Sequence, residues 1–161
     1  MQIKIFVTGG TIDKVYNELT GELTFDNSHL DEMLERSRST ADIDSKVLFL
    51  KDSLDMTNED RNLILSKCLE CSENRVVITH GTDTMVETAQ LLGNKIKDKT
   101  IVLFGSMIPY SINNSDALFN LGAALSAVQN KTNGVYIAIN GRVFDFDKVE
   151  KNKALGIFEN I

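Results

Sequence analysis

Continuous runs of apolar residues, many of them β-branched, alternate along the chain with longer segments of helical periodicity. A short, uninterrupted apolar run is typical of a strand that is covered on both faces. The runs are IKIFV (3–7), KVLFL (46–50), RVVIT (75–79), TIVLF (100–104) and GVYIAI (134–139). The pattern therefore predicts five buried strands.

Segments with helical spacing separate these strands. Thr57 followed by Asp60 is a capping pattern before the second segment, and Ser115 stands before the fourth. The predicted helices are HLDEMLERS (29–37), NEDRNLILSKCLECS (58–72), TMVETAQLLGNKI (84–96) and DALFNLGAALSAVQNK (116–131). Strands that alternate with helices of this length imply right-handed crossovers. The sequence thus predicts a doubly wound α/β domain with a mostly parallel, flavodoxin-like or Rossmann-like sheet and helices on both faces.

The stretch DKVYNELTGELTFDNS (13–28) has no clear periodicity and follows the first strand closely. Long irregular segments inside compact domains are usually lids or binding loops. We therefore expect residues 13–28 to form an irregular loop beside the functional site.

The composition limits the classes of function. The chain has 161 residues, 42% of them hydrophobic, which suffices for one globular domain over residues 1–161. Its formal net charge of −6 opposes nucleic-acid binding, which needs clustered Lys and Arg. The first apolar run is too short for a signal peptide, and no apolar stretch reaches membrane length. We expect a soluble, cytoplasmic protein with a small-molecule partner.

Cys68 and Cys71 form a CxxC pattern, which occurs in redox pairs and in zinc sites. A zinc site needs two further ligands at matching spacing. The chain has no other cysteine, and its two histidines, His29 and His80, lie in unrelated contexts. The pattern favours reduced, structural thiols, and we expect neither a metal nor a cofactor.

Hydroxyl groups, glycines and carboxylates follow the predicted strands. Ligands of open parallel sheets bind beyond the carboxyl ends of the strands, so these segments are the candidates for the site. They are TGGTI (8–12), KDSLDM (51–56), THGTDTM (79–85), GSMIPYS (105–111) and NGRVFDFDKVEK (140–151). The first and third are the richest in such groups, and we expect the site between them.

The TGGTI segment lacks the patterns of the common phosphate-binding loops. A P-loop needs GxxxxGK with Ser or Thr, and a dinucleotide fingerprint needs GxGxxG; neither is present. From these residues alone, the segment is either a glycine turn that leaves a buried strand or the seat of a nucleophile.

Two of the segments resemble the signature motifs of the bacterial-type L-asparaginase family. They are TGGTI near the N-terminus and HGTDTM (80–85), which ETA (87–89) follows. Further similarity covers DSLDM (52–56), GSMIPYSINNSDALFNL (105–121) and VFDFDKVEK (143–151), in the family's order. The resemblance extends over nearly the whole chain, but only to the family's amino-terminal domain. It implies hydrolysis of the side-chain amide of L-asparagine or a related small amide.

The resemblance also implies roles for single residues. Thr11 would be the nucleophile that forms an acyl-enzyme, and a threonine hydroxyl needs a base to take its proton. Thr82, Asp83 and Lys151 would form a relay in which a desolvated, neutral lysine accepts a proton. Tyr16 resembles the family's loop tyrosine, which helps to orient the nucleophile.

Substrate contacts follow from the same resemblance. Ser53 would bind the substrate α-carboxylate, and Asp83 would also hold the α-ammonium group. Gly10 and Gly81 would let the backbone approach the substrate, and amides near Thr11 and Thr82 would stabilise the oxyanion. His80 is expected to be structural.

Structural interpretations of these residues remain open. Thr82 could merely cap the next helix, because Ser, Thr and Asp are the usual caps. Tyr16 could merely pack within the 13–28 segment. Lys151 lies among alternating charges typical of a solvated face, and Lys148 and Lys153 are close enough in sequence to replace it in the relay.

The chain departs from the longer family members in two respects. They have a second domain that completes a neighbouring subunit's site, which we expect to be absent here, and position 54 is Leu where they usually have Gln. We expect a naturally short asparaginase-like protein that forms a homodimer to close its site. The alternatives are a fragment of a longer enzyme and a non-catalytic module that binds a small amino acid.

Overall fold

The apolar runs of the sequence form the centre of a sheet in a computed structural model that describes residues 1–161. The chain forms ten strands, which are β1 (Ile3–Gly9), β2 (Lys14–Asn17), β3 (Glu22–Phe25), β4 (Ile43–Lys51), β5 (Arg75–Thr79), β6 (Thr100–Phe104), β7 (Gly134–Ile139), β8 (Arg142–Asp145), β9 (Val149–Asn152) and β10 (Ile157–Asn160). Its four helices are α1 (Leu30–Arg36), α2 (Asn58–Glu70), α3 (Met85–Lys95) and α4 (Ala117–Asn130).

The central sheet has six strands in the order β4-β1-β5-β6-β7-β8. Every neighbouring pair is parallel except β7 with β8. The five predicted strands are its first five members, so both these strands and the doubly wound α/β class are confirmed.

Apolar side chains cover both faces of the sheet. Alternate residues of a strand point to opposite faces, and β5 follows this rule: Val77 joins the core with α1 and α4, whereas Val76 and Ile78 join the core with α2 and α3. The two cores contain 18 and 17 buried residues, so neither face of the sheet is left open. Burial on both faces explains why the strands have continuous apolar sequences.

The helices begin and end close to the predicted positions. The Thr57 hydroxyl accepts a hydrogen bond from the Asp60 N–H, and the Asp60 carboxylate accepts one from the Thr57 N–H, which confirms the capping pattern. α4 begins at Ala117, whose N–H donates to the Ser115 hydroxyl. None of the four helices has the length and apolar character needed to cross a membrane.

Residues 13–28 differ from the prediction of an irregular loop. β2 and β3 pair as an antiparallel hairpin within this stretch, with Tyr16 opposite Leu23. The strands have only four residues each and mix polar with apolar positions, so their periodicity is too short to detect. The short strands β8, β9 and β10 were not predicted for the same reason.

The two cysteines are free thiols. Cys68 is buried between α2 and the sheet, and this burial raises the pKa of its thiol to about 12. A thiol with so high a pKa is a poor nucleophile and a poor metal ligand. Cys68 therefore acts as a small apolar core residue.

His80 anchors the segment that follows β5. Its ring is fully buried, with Nδ1 2.8 Å from the Gly81 carbonyl oxygen and Nε2 2.8 Å from the Thr88 hydroxyl of α3. A carbonyl oxygen can only accept, so Nδ1 carries the proton and Nε2 accepts from Thr88. Burial lowers the pKa of His80 to about 4, and the ring is therefore neutral near pH 7.

This neutral histidine makes stability depend on pH. In the unfolded chain the ring binds a proton near pH 6.5, but in the folded protein only near pH 4. The contribution of His80 is therefore fully present above pH 6.5 and is lost as the pH falls. Between pH 7 and pH 5 the free energy of unfolding should fall by about 2 kcal/mol more in the wild type than in His80→Gln. Urea unfolding at both pH values measures this. Equal slopes for wild type and His80→Gln would contradict the assignment.

Candidate active site

The two segments richest in hydroxyl and glycine residues lie side by side. β1 and β5 are neighbours in the sheet, and the chain runs from β1 to β4 on one side before it returns to β5 on the other. This reversal is the topological switch point, where the loops after the strands diverge and open a crevice. The structure thus brings residues 8–12 and 79–85 together at the predicted edge.

Glycines hold three loops in direct contact at this edge. Gly10 has a φ of 86°, and a Cβ atom on it would lie 2.4 Å from the Gly81 nitrogen. A Cβ atom on Gly81 would lie 2.6 Å from the Ser53 Oγ. Neither position has room for a side chain, and the φ of Gly10 is one that L-residues rarely adopt. The loops after β1 and β5 therefore meet backbone to backbone, and the Ser53 side chain from the loop after β4 packs directly against Gly81.

Thr11 follows Gly10 directly and begins a short 3-10 turn over Thr11–Asp13. Its side chain is partly exposed, and its hydroxyl makes no hydrogen bond within the chain. The Gly10 N–H donates to the Lys51 carbonyl at 2.8 Å, so this amide is already used and is not an oxyanion donor. The geometry leaves the Thr11 hydroxyl available to a ligand.

Lys151 reaches the loop after β5 from the distant strand β9. Its Nζ donates to the Thr82 Oγ1 at 2.7 Å and to the Asp83 Oδ1 at 2.8 Å. The Lys151 side chain is only 10% exposed, compared with 36% for Asp83. A sheltered ammonium that bridges a hydroxyl and a carboxylate can exchange protons with the hydroxyl while the carboxylate fixes its position.

The structure distinguishes Lys151 from the lysines near it in sequence. Lys148 is 65% exposed and pairs with Asp145 at 3.3 Å, and Lys153 is exposed. Thr82 does not cap a helix, because α3 begins at Met85 and the Thr82 hydroxyl accepts from Lys151. The structure therefore favours a cluster of Thr82, Asp83 and Lys151 over the two structural interpretations, a helix cap at Thr82 and a solvated lysine at position 151.

Ser53 is buried against Gly81 in a 3-10 turn over Ser53–Asp55. Its carbonyl accepts a hydrogen bond of 2.8 Å from the Thr84 hydroxyl, which ties the turn to the loop after β5. The adjacent Leu54 side chain is 67% exposed. The turn therefore offers one buried hydroxyl next to an exposed apolar side chain.

Tyr16 lies on the β2–β3 hairpin and is 63% exposed. Its hydroxyl makes no hydrogen bond to Thr11 or to any other residue of the chain. Tyr16 follows Thr11 by five positions in the sequence. In the structure, its hydroxyl does not join the cluster of Thr82, Asp83 and Lys151.

Sequence reasoning missed the pair of Lys14 and Asp52. The Asp52 Oδ2 accepts from the Lys14 Nζ, and its Oδ1 accepts from the Leu54 N–H at 3.0 Å. Burial favours a higher pKa for Asp52, but these two hydrogen bonds and the charges of Lys14 and Lys151 outweigh it and lower the pKa. The sequence is compatible with an Asx turn at Asp52. No sequence pattern, however, indicates a contact between Lys14 and Asp52, which are 38 positions apart.

A second missed residue is Asp116, which shapes the loop after β6. Its carboxylate accepts from the N–H groups of Met107 and Ile108 at 3.0 Å and from the Asn120 amide at 2.9 Å. The sequence indicates Asp116 only as part of a helix start, because the partners in the loop depend on the tertiary fold.

Comparisons with known proteins give one consistent family. The family model described as Asparaginase, N-terminal, matches residues 2–158. A protein named probable L-asparaginase periplasmic, from Haemophilus influenzae, is 34% identical over 96% of this chain and 47% of its own length.

Two solved structures have the same fold. The thermostable L-asparaginase from Thermococcus kodakarensis superposes with a TM-score of 0.87 at 30% identity, covering 100% of this chain and 51% of the other. The probable cytoplasmic L-asparaginase from Campylobacter jejuni gives 0.83 at 34% identity, covering 99% and 52%. The chain thus spans about half the length of these relatives, whose names include both periplasmic and cytoplasmic proteins. On these matches, the chain belongs to the asparaginase family, whose amino-terminal domain it matches from residue 2 to residue 158.

Proposed function

We propose that the chain is an amidohydrolase that releases ammonia from L-asparagine or a related small amide. The observation that carries the proposal is the bridge from the Lys151 Nζ to the Thr82 Oγ1 and the Asp83 Oδ1, on the loop that contacts Gly10. Membership of the asparaginase family supports the choice of an amide bond.

Thr11 is the nucleophile in this proposal. Its hydroxyl oxygen attacks the side-chain amide carbon, and the proton it loses passes through Thr82 to Lys151 in the neutral form. The tetrahedral intermediate collapses, the C–N bond breaks, and the nitrogen takes a proton and leaves as ammonia. Water then attacks the acyl-enzyme ester, which releases the acid and restores the Thr11 hydroxyl.

The other candidate residues bind and orient the substrate in this proposal. Ser53 holds the α-carboxylate, and Asp83 holds the α-ammonium group. Gly10 and Gly81 let the loops that carry Thr11, Thr82 and Ser53 pack against one another, which brings their backbone close to the substrate. Tyr16, on the hairpin, helps to orient the nucleophile when substrate is bound. The proposed reaction uses only side chains, backbone groups and water.

Loss of the Thr11 hydroxyl should abolish turnover. We expect purified wild-type chain to release ammonia from L-asparagine, and Thr11→Ala to lose at least about 1000-fold in kcat, since no acyl-enzyme can form. Coupled ammonia detection with L-asparagine and L-glutamine measures both. Thr40→Ala, at an exposed threonine, should behave as wild type. Binding of asparagine without ammonia release by the wild type would instead favour a non-catalytic amino-acid-binding module.

Lys151 should be separable from its sequence neighbours. Lys151→Met removes the bridge to Thr82 and Asp83, so kcat should fall by about 100-fold or more. Lys148→Met and Lys153→Met remove exposed charges and should leave kcat within about twofold, because exposed ion pairs contribute little. Steady-state kinetics of the three variants, with thermal unfolding to confirm folding, measure this. An active Lys151→Met would show that the relay does not run through this lysine.

We also propose that the chain forms a homodimer. Exposed apolar side chains cluster at the end of the sheet that carries the site, where the Met107 methyl lies beside Gly156. The patch consists of Met107, Ile108, Leu155 and Ile157. Contiguous apolar surface of this kind is usually covered by a partner.

Self-association should depend on this patch. Sedimentation velocity of the wild type should show a dimer, and Leu155→Glu should shift it to a monomer because a carboxylate cannot be buried unpaired. Leu69→Glu, at a comparably exposed leucine on α2, should remain dimeric. A wild type that is monomeric at all concentrations would refute the proposal.

A further inference from the structure

We propose that Lys14 is a positioning residue whose ion pair with Asp52 locks the β2–β3 hairpin to the turn that carries Ser53. The hairpin and the Ser53 turn, which lie on two sides of the site, then hold their relative positions before a substrate binds. The inference rests on the proposed function where it concerns substrate, whereas the lock itself is a property of the fold and can be tested without turnover.

One carboxylate joins the two elements. The Asp52 Oδ1 accepts from the Leu54 N–H at 3.0 Å and thereby caps the turn, while its Oδ2 accepts from the Lys14 Nζ. The side chains of Lys14 and Asp52 are 18% and 28% exposed. A pair sheltered to this extent is screened less by water and salt than a pair on the open surface.

Lys14 is the first residue of β2 and lies at the root of the hairpin, the end at which the hairpin joins the rest of the domain. Contacts at this end have the largest effect on the position of the hairpin. Its carbonyl accepts a hydrogen bond of 2.8 Å from the Ser111 hydroxyl, and its ammonium lies 5.8 Å from the ring centre of Phe25, the pairing partner on β3. Lys14 therefore contacts both strands of the hairpin and two loops of the site.

Away from the root, the hairpin is held by hydrogen bonds between its own residues. The hydrogen bonds near its tip join Asn17 to the N–H groups of Leu19, Thr20 and Gly21, all within the hairpin. Leu19 is 91% exposed. An isolated two-stranded hairpin is marginally stable in water, so the contacts at Lys14 decide how well the hairpin is held.

The ion pair between Lys14 and Asp52 also sets the direction in which the Tyr16 side chain points. Residues two apart on a strand point to the same face, so Tyr16 shares the face from which Lys14 reaches Asp52. A hairpin released at Lys14 loses this orientation. The ion pair thus couples the side chain on the hairpin to the turn that holds Ser53.

A purely stabilising ion pair is the competing interpretation, and the chain contains a suitable control. Lys4 on β1 pairs with Asp44 on β4 at 2.5 Å, with side-chain exposures of 13% and 51%. This pair also joins two elements, but it lies towards the opposite ends of the strands from the site. Lys4→Met therefore removes a comparable ion pair without touching the hairpin.

Amide hydrogen exchange tests the lock directly. In Lys14→Met, exchange of residues 15–25 and 53–55 should speed up by roughly tenfold, as for loss of a charge-assisted hydrogen bond. Lys14→Arg should restore protection, and Lys4→Met should leave these segments unchanged. Unchanged exchange in Lys14→Met, or equal acceleration in Lys4→Met, would overturn the proposal.

Kinetics of the same variants test the effect on substrate. A loosened site is competent for only part of the time, so the KM for the amide should rise by roughly tenfold in Lys14→Met while kcat changes by less than about threefold. Lys14→Arg should recover the wild-type KM. A rise in KM equal to that of Lys4→Met would overturn the positioning role. If the wild type releases no ammonia, the proposed function fails. The exchange experiment then still tests whether the Lys14–Asp52 ion pair holds the hairpin to the Ser53 turn.

Discussion

The contact between glycine backbones at the switch point is the constraint on which the site depends. Gly10 meets Gly81, and Gly81 meets the Ser53 side chain, at distances that leave no room for a Cβ atom. Because close-packed interiors transmit small displacements, any side chain at these glycines separates the loops that carry Thr11 and Thr82. The parallel sheet brings the loops to one edge, and the glycines bring them into contact.

The lysine of the site reaches this contact from outside the central sheet. Lys151 lies on β9, opposite Phe158 of β10, and two positions after Val149. Val149 and Phe158 are both buried in the core with α2 and α3. Since these three side chains share one face of the small hairpin, burial of the two apolar residues turns the lysine inward. Packing therefore supplies the orientation that a flexible four-carbon side chain lacks.

The sequence predicted the parts of the fold that depend on local pattern. The five buried strands, the Thr57 cap and the pairing of the TGGTI and HGTDTM loops follow from apolar runs, capping chemistry and sheet topology. The β2–β3 hairpin was missed because its strands are shorter than a detectable period. The bond between Asp52 and Lys14 was missed because only the tertiary fold brings together residues so far apart. The choice of Lys151 over Lys148 likewise required a distance and could not come from composition.

Asp83 is proposed for two tasks, and its geometry shows how they are compatible. One carboxylate oxygen, Oδ1, accepts from the Lys151 Nζ, whereas Oδ2 has no partner in the chain. The side chain is 36% exposed, so this second oxygen is accessible from solvent. Each carboxylate oxygen can accept hydrogen bonds of its own, so a substrate ammonium can bind Oδ2 without displacing the lysine.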